Sequence, residues 1–140
     1  MRFWDSSAVV PLLVEQESSG RAANWITEDE GMVLWTLTPV EVVSAIRRLV
    51  RETSLEEEGA RIAEARLHEL VGFCHIVVDV ETVKSLATRL LRVHSLHAFD
   101  ACQLGAALHW AEGLPRGRTL HTLDRRLASA AEREGFVVPA

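Results

Sequence analysis

Cysteine is nearly missing. Cys74 and Cys102 are the only two among 140 residues, and two scattered thiols make neither a disulfide framework nor a zinc site. Both are expected to be small buried apolar residues. No apolar run approaches the roughly 20 residues of a membrane span, and the opening MRFWDSS lacks the apolar stretch of a signal peptide. A reducing, cytoplasmic setting without a membrane partner is therefore expected. Repeats, low-complexity tracts and Gly/Ser linkers are absent too, which leaves one domain over 1–140. A basic surplus is also wanting. The net charge is −5, from 15 Lys and Arg against 20 Asp and Glu, which weighs against a general nucleic-acid binder. An acidic balance does suit a site that holds divalent cations, because the bound metal reverses the local field. Among the six histidines there is no HExxH pair and no Cys/His spacing for zinc. They are expected in structural or surface roles, with His97, close to Asp100, the one placed to join a functional site.

What is present is globular: 48% of residues are hydrophobic and 25% charged. Short apolar runs at Phe3-Trp4, Met32–Trp35, Ile76–Val78, Thr119–Thr122 and Phe136–Val138 suit strands buried on both faces of a parallel sheet. Stretches with apolar residues at helical spacing fill the gaps, at 39–52, 55–72, 81–93, 99–111 and 125–134, with shorter helices at 8–14 and 19–27. The stripes predicted to be buried include Val40 in the first of these helices, Ile62 in the second and Leu91 in the third. Ser54 with Glu57 has the spacing of a capping box that starts the helix at 55, and Gly135 suits a helix stop. The alternation predicts a three-layer α/β domain, with helices on both faces of a mostly parallel sheet. Ligands of such sheets bind outside the carboxyl ends of the strands.

Four acids fall on that edge: Asp5 after the first run, Glu41 in the first turn of the helix after the second, Asp100 early in the helix at 99–111, and Asp124 after the fourth run. Each also has a purely structural explanation. Thr38-Pro39-Val40-Glu41 reads as a capping box, Asp5 and Asp124 as N-caps, and Asp100 as a complement to a helix dipole. Together they read differently. No Lys or Arg stands beside Asp5 in the sequence, hydroxyls at Ser7 and Thr122 accompany the acids, and oxygen-only donor sets suit Mg²⁺ or Mn²⁺. Four clustered carboxylates repel one another unless a cation joins them, and the chemistry such a cluster serves is metal-assisted phosphoryl transfer. Arg47 and Arg125 are candidate phosphate contacts. Arg116 and Arg118 precede the fourth run and belong at the other edge. Trp4 and Trp35 are expected in the core, and Trp25 and Trp110 in the core or at a dimer interface.

The stretch Asp5-Ser6-Ser7-Ala8-Val9-Val10 followed by Thr38-Pro39-Val40-Glu41 resembles the opening half of a PIN domain. Phe99-Asp100-Ala101-Cys102-Gln103-Leu104 resembles that family's third acidic motif, and Leu120-His121-Thr122-Leu123-Asp124-Arg125-Arg126-Leu127 its last. The likeness spans nearly the whole chain, in order, and at this size resembles a VapC-type toxin of a toxin–antitoxin pair. It implies a PIN-like fold and a Mg²⁺- or Mn²⁺-dependent endoribonuclease that hydrolyses RNA phosphodiesters with metal-activated water. It also implies a homodimer and a cognate antitoxin protein as partners. Asp5, Glu41 and Asp100 map onto the family's three most constant acids, Asp124 onto its more variable fourth, and Ser7 onto the hydroxyl near the first. His97 is a departure, standing where the family often carries Arg. The alternative reading is a catalytically silent PIN-like module that binds RNA or protein. A haloacid-dehalogenase type of phosphohydrolase would need Asp two residues after Asp5, where this chain has Ser7.

Overall fold

A computed structural model describes all residues 1–140. Four strands, β1 (Arg2–Trp4), β2 (Met32–Trp35), β3 (His75–Val77) and β4 (Leu120–His121), form one sheet in the order β3-β2-β1-β4. Every pairing is parallel. Seven helices connect them: α1 (Ser6–Leu13) and α2 (Ser19–Glu28) between β1 and β2, α3 (Thr38–Arg51) and α4 (Glu57–Val71) between β2 and β3, α5 (Val80–Val93) and α6 (Ala98–Trp110) before β4, and α7 (Arg125–Glu134) after it.

Side-chain alternation along the strands divides the core into two layers. Phe3, Val33, Trp35, Val77 and Leu120 pack against α5, α6 and α7. Trp4, Met32 and Leu34 pack on the other face against α1 to α4, with Trp25 of α2 among them. The predicted three-layer architecture is therefore present. Trp4, Trp25 and Trp35 are buried, whereas Trp110 is half-buried with the Arg118 guanidinium 5.0 Å above its ring.

The α5–α6 contact is close because Gly105 faces α5. A Cβ there would stand 3.2 Å from the Val83 carbonyl oxygen and 3.3 Å from the Ala87 nitrogen. The two helices meet backbone to backbone at this point, which fixes the start of α6 relative to the sheet.

Several local expectations are corrected. The predicted strand at 136–138 is a single bridge from Val137 to Thr119. Phe136 is turned into the core, and Pro139 has no N–H with which to extend a ladder. Ser54 does not cap α4, whose N-cap is Glu56 without a side-chain bond. Instead Ser54 N–H closes the end of α3 on the Leu49 carbonyl, next to Thr53 at φ 60°, a closure of the Schellman type. Val40, Ile62 and Leu91 are exposed rather than buried. Each lies a step beyond the narrow stripe its helix turns inward. The two cysteines are half-buried rather than buried, and the Cys74 thiol donates to the Leu70 carbonyl. Burial pushes that thiol up to about 11.

Candidate active site

The order in which strands are added changes side at β1, since β2 and β3 lie to one side of it and β4 to the other. The crevice beyond the carboxyl ends of β1 and β4 is thus a topological switch point, the ordinary ligand site of an open parallel sheet. Asp5 leaves β1 there, with its N–H bonded to the His121 carbonyl of β4. Its carboxylate is almost fully buried. Oδ2 accepts hydrogen bonds from Ser7 Oγ at 2.6 Å, Thr122 Oγ1 at 2.8 Å and, as N-cap of α1, from Ser7 N at 3.3 Å. Oδ1 meets only the Ser6 hydroxyl, at 3.3 Å.

Glu41 shows the same division between its two oxygens. Oε2 accepts from Gln103 Nε2 at 2.7 Å, and Oε1 is buried without any partner. The Gln103 side chain is fully buried and is held in turn by Thr38 Oγ1, 3.0 Å from Nε2. The capping-box reading of Thr38 and Glu41 fails for that reason. Thr38 is inside α3, the N-cap is Leu37, and no side-chain cap bond exists. Both side chains face α6 instead. Asp100 lies in the first turn of α6, half-buried. Asp124 is the N-cap of α7, accepting from Leu127 N at 2.8 Å through Oδ1, while its own N–H donates to Thr122 Oγ1. Thr122 therefore bridges Asp5 and the start of α7.

The electrostatics are those of acids crowded together. Burial raises the Asp5 carboxyl above the ordinary carboxylate range, against the pull of the Ser7 and Thr122 hydrogen bonds. Glu41 is raised first by burial and then by the charges of Asp5 and Asp100, with Gln103 and Ser6 opposing. Asp100 is raised by burial, then by Asp124 and Asp5, with His97 opposing. No arginine or lysine pairs with any of these groups. A cleft of about 410 Å³ opens beside them, with Ser7, Glu41, Asp100, Arg48 and Phe99 in its wall.

The placement of the expected residues is thus uneven. Asp5, Glu41, Asp100, Asp124, Ser7 and Thr122 share one edge. Arg47 does not join them, because it is drawn to α4, where Glu57 and Glu64 hold its guanidinium. Arg48, the next residue, lines the cleft in its place. Arg125 is exposed on the first turn of α7. Gln103 and Thr38 were missed as parts of the site. The one available signal was a glutamine three residues after Asp100 in an otherwise apolar helix stripe, which puts both on one face.

The donor set fits a hard divalent cation. All donors are oxygens, the carboxylates are destabilised by burial and by one another, and the buried Glu41 Oε1 has no partner. Their present rotamers do not gather three acidic side chains into a ready-made ligand group, so a cation would have to draw them in.

No family model matches the chain, and no curated protein does. Solved structures do. FitAcB from Neisseria gonorrhoeae superposes with a TM-score of 0.68 at 17% identity, over 100% of this chain and 97% of that one. VapC20 from Mycobacterium tuberculosis, described as a sarcin-ricin loop cleaving toxin, gives 0.68 at 17% identity over 98% and 97%. PAE2754 from Pyrobaculum aerophilum gives 0.61 at 22% identity over 98% and 87%. These likenesses span whole chains and concern the fold: the chain is a three-layer α/β domain of the PIN-like fold.

Proposed function

We propose that this chain is a Mg²⁺- or Mn²⁺-dependent endoribonuclease and the toxin of a toxin–antitoxin pair. The observation that carries the proposal is the division of labour at Asp5 and Glu41, where neighbouring groups fix one carboxylate oxygen firmly while the other has only a long Ser6 contact in Asp5 and no partner in Glu41. That is how metal ligands are oriented by an outer layer of hydrogen bonds. Asp5, Glu41 and Asp100 would hold the cation, with Asp124 as an accessory acid. When bound, it would supply Lewis-acid stabilisation of the phosphodiester and lower the pKa of the attacking water.

The chain's own residues set the rest. Ser7 and Thr122 favour the ionised form of Asp5 against its burial and aim the carboxylate. Gln103 does the same for Glu41, and Thr38 fixes Gln103. The hydroxyls of Ser7 and Thr122 are both engaged in orienting the Asp5 carboxylate, which supports direct attack by water rather than by a side chain. The toxin part of the proposal, with a cognate antitoxin and a homodimer, rests on the motif resemblance and on the fold shared with a toxin described as cleaving RNA.

The test is cleavage of RNA with Mg²⁺ or Mn²⁺, using Asp5→Asn and Asp100→Asn as controls. Full activity in EDTA, or in both variants, would overturn the reading. The dispersed rotamers of the acids favour a second reading, a PIN-like module that binds RNA or protein without cutting. Metal titration separates the two, because absence of binding at millimolar Mn²⁺ selects the silent module.

A further inference from the structure

Beyond the acid cluster, the α5–α6 connection and α7 enclose a second cavity of about 270 Å³. Arg125, Arg126, Arg133, Ser129, Ser95 and His94 line it. Three features set it apart from an ordinary charged surface. First, three arginines converge on it, and none of them has an ion-pair or hydrogen-bond partner. Second, no carboxylate lines the cavity, in a chain with a net charge of −5. The nearby Glu134 is already engaged by His94 Nε2 at 2.8 Å and by Arg89 at 3.1 Å. Third, the buried His94 in its wall leaves Nδ1 without a partner.

The sequence builds this cavity simply. Arg126, Ser129 and Arg133 recur at spacings of three and four, so they share one face of α7. Arg125 directly follows Asp124, and the cavity's other wall, His94-Ser95, leads through His97 into the turn that carries Asp100. The cavity therefore begins at the residue next to Asp124. From Arg125 to Arg133, eight residues at 1.5 Å each span about 12 Å of helix axis.

We infer that this cavity binds a backbone phosphate of the RNA strand next to the one being cleaved. This rests on the nuclease reading and deepens it by assigning the path of the substrate. Arginine suits the role because its planar fork gives two parallel bonds to phosphate oxygens, and the serine hydroxyls add neutral donors. The placement also resolves a conflict within the molecule. A strand approaching four carboxylates is repelled, and a fixed cationic subsite beside them holds it in register.

The test is equilibrium binding of a short single-stranded oligoribonucleotide to the full chain in EDTA, where no cleavage occurs, across 50–200 mM salt. The double variant Arg126→Ala/Arg133→Ala is compared with Arg51→Ala/Arg116→Ala, which changes the charge equally at exposed, unpaired positions away from the cavity. Loss of one phosphate contact should weaken binding about tenfold. It should also flatten the slope of log affinity against log salt by about 0.7. Arg126→Lys/Arg133→Lys should keep the slope and lose less affinity, which guards against a folding defect in the alanine pair. Equal slopes and affinities in the unaltered chain and the first double variant would overturn the inference and leave the nuclease reading standing. An equal loss in the control pair would likewise overturn it, as a general charge effect. Failure of the unaltered chain to bind RNA at all would overturn the inference and leave the nuclease reading to its own cleavage assay.

Discussion

Replacing Gln103 by Leu removes one side chain that orients a site acid while leaving every acid in place. The amide is fully buried and donates to Glu41 Oε2 at 2.7 Å. A hydrogen bond to a charged acceptor contributes about 1.5–3 kcal/mol, and the exchange with Thr38 about 1 kcal/mol more. Leucine recovers part of this through apolar burial, and water can reach a half-buried Glu41, so the net cost to stability should be about 1–2 kcal/mol. For a chain of this size that lowers Tm by about 3–6 °C. The effect on metal should be larger in proportion. Outer-layer partners of a ligand typically carry 10–100-fold in affinity, so the Mn²⁺ dissociation constant should rise by about that factor. The Glu41 carboxyl, already raised by burial, should rise further once its largest opposing bond is gone, and the pH at which metal binding sets in should move upward with it. Calorimetric Mn²⁺ titration at several pH values, with urea unfolding of the metal-free protein, measures all three quantities. Reduced stability with unchanged Mn²⁺ affinity and pH dependence would refute the reasoning and make Gln103 a core hydrogen-bonding residue only.

Other consequences follow from the same geometry. Asp5, Glu41 and Asp100 have folded pKa values raised above their unfolded ones. Through them the metal-free chain gains stability as pH falls toward 4 and loses it as pH rises through the raised values. Saturating Mn²⁺, at about 100 times its dissociation constant, should add about 2.7 kcal/mol at neutral pH, with the gain shrinking toward pH 5. A gain in Tm that ignores pH would count against carboxylate ligation. His121 is stacked on Trp25 at 4.3 Å and 19°, with its pKa lowered to about 4, first by burial and then by Arg2. Its contribution is complete above about pH 6.5 and lost as pH falls through the window down to about 4. His121→Phe should flatten that acid limb in tryptophan-fluorescence titrations, and an unchanged limb would contradict the assignment. Gly105→Ala forces α5 and α6 apart. Overpacking of about 1–3 kcal/mol, offset by about 1 kcal/mol of helix propensity, should lower Tm by a few degrees, and an unchanged or higher Tm would show that the interface can give.

The layered fold was legible because its signals are local. Trp4, Val33, Leu34 and Val77 sit in short apolar runs, and the stripes on α3 and α5 repeat at helical spacing. Strand order was not legible, since parallel pairing depends on contacts distant in sequence. The four acids were legible as residues of one edge, but their individual roles were not. The spacing of Thr38 and Glu41 satisfies a capping box, yet both turn to Gln103 on α6, a tertiary bond that no local pattern encodes. Asp5 and Asp124 do cap their helices as predicted, and a cap does not take an acid out of the cluster. Arg47 and Arg48 differ by one residue, or 100° of helix, and only the position of α4 decides which of them meets the cleft.

The central claim is that Asp5, Glu41 and Asp100 together hold a divalent cation. The most direct measurement is Mn²⁺ titration of the metal-free protein at pH 7.5 beside Asp5→Asn. The account predicts saturable binding near the acid cluster that Asp5→Asn abolishes or weakens at least tenfold, with the fold intact by circular dichroism. No binding at millimolar Mn²⁺, or equal affinity in the variant, would contradict it.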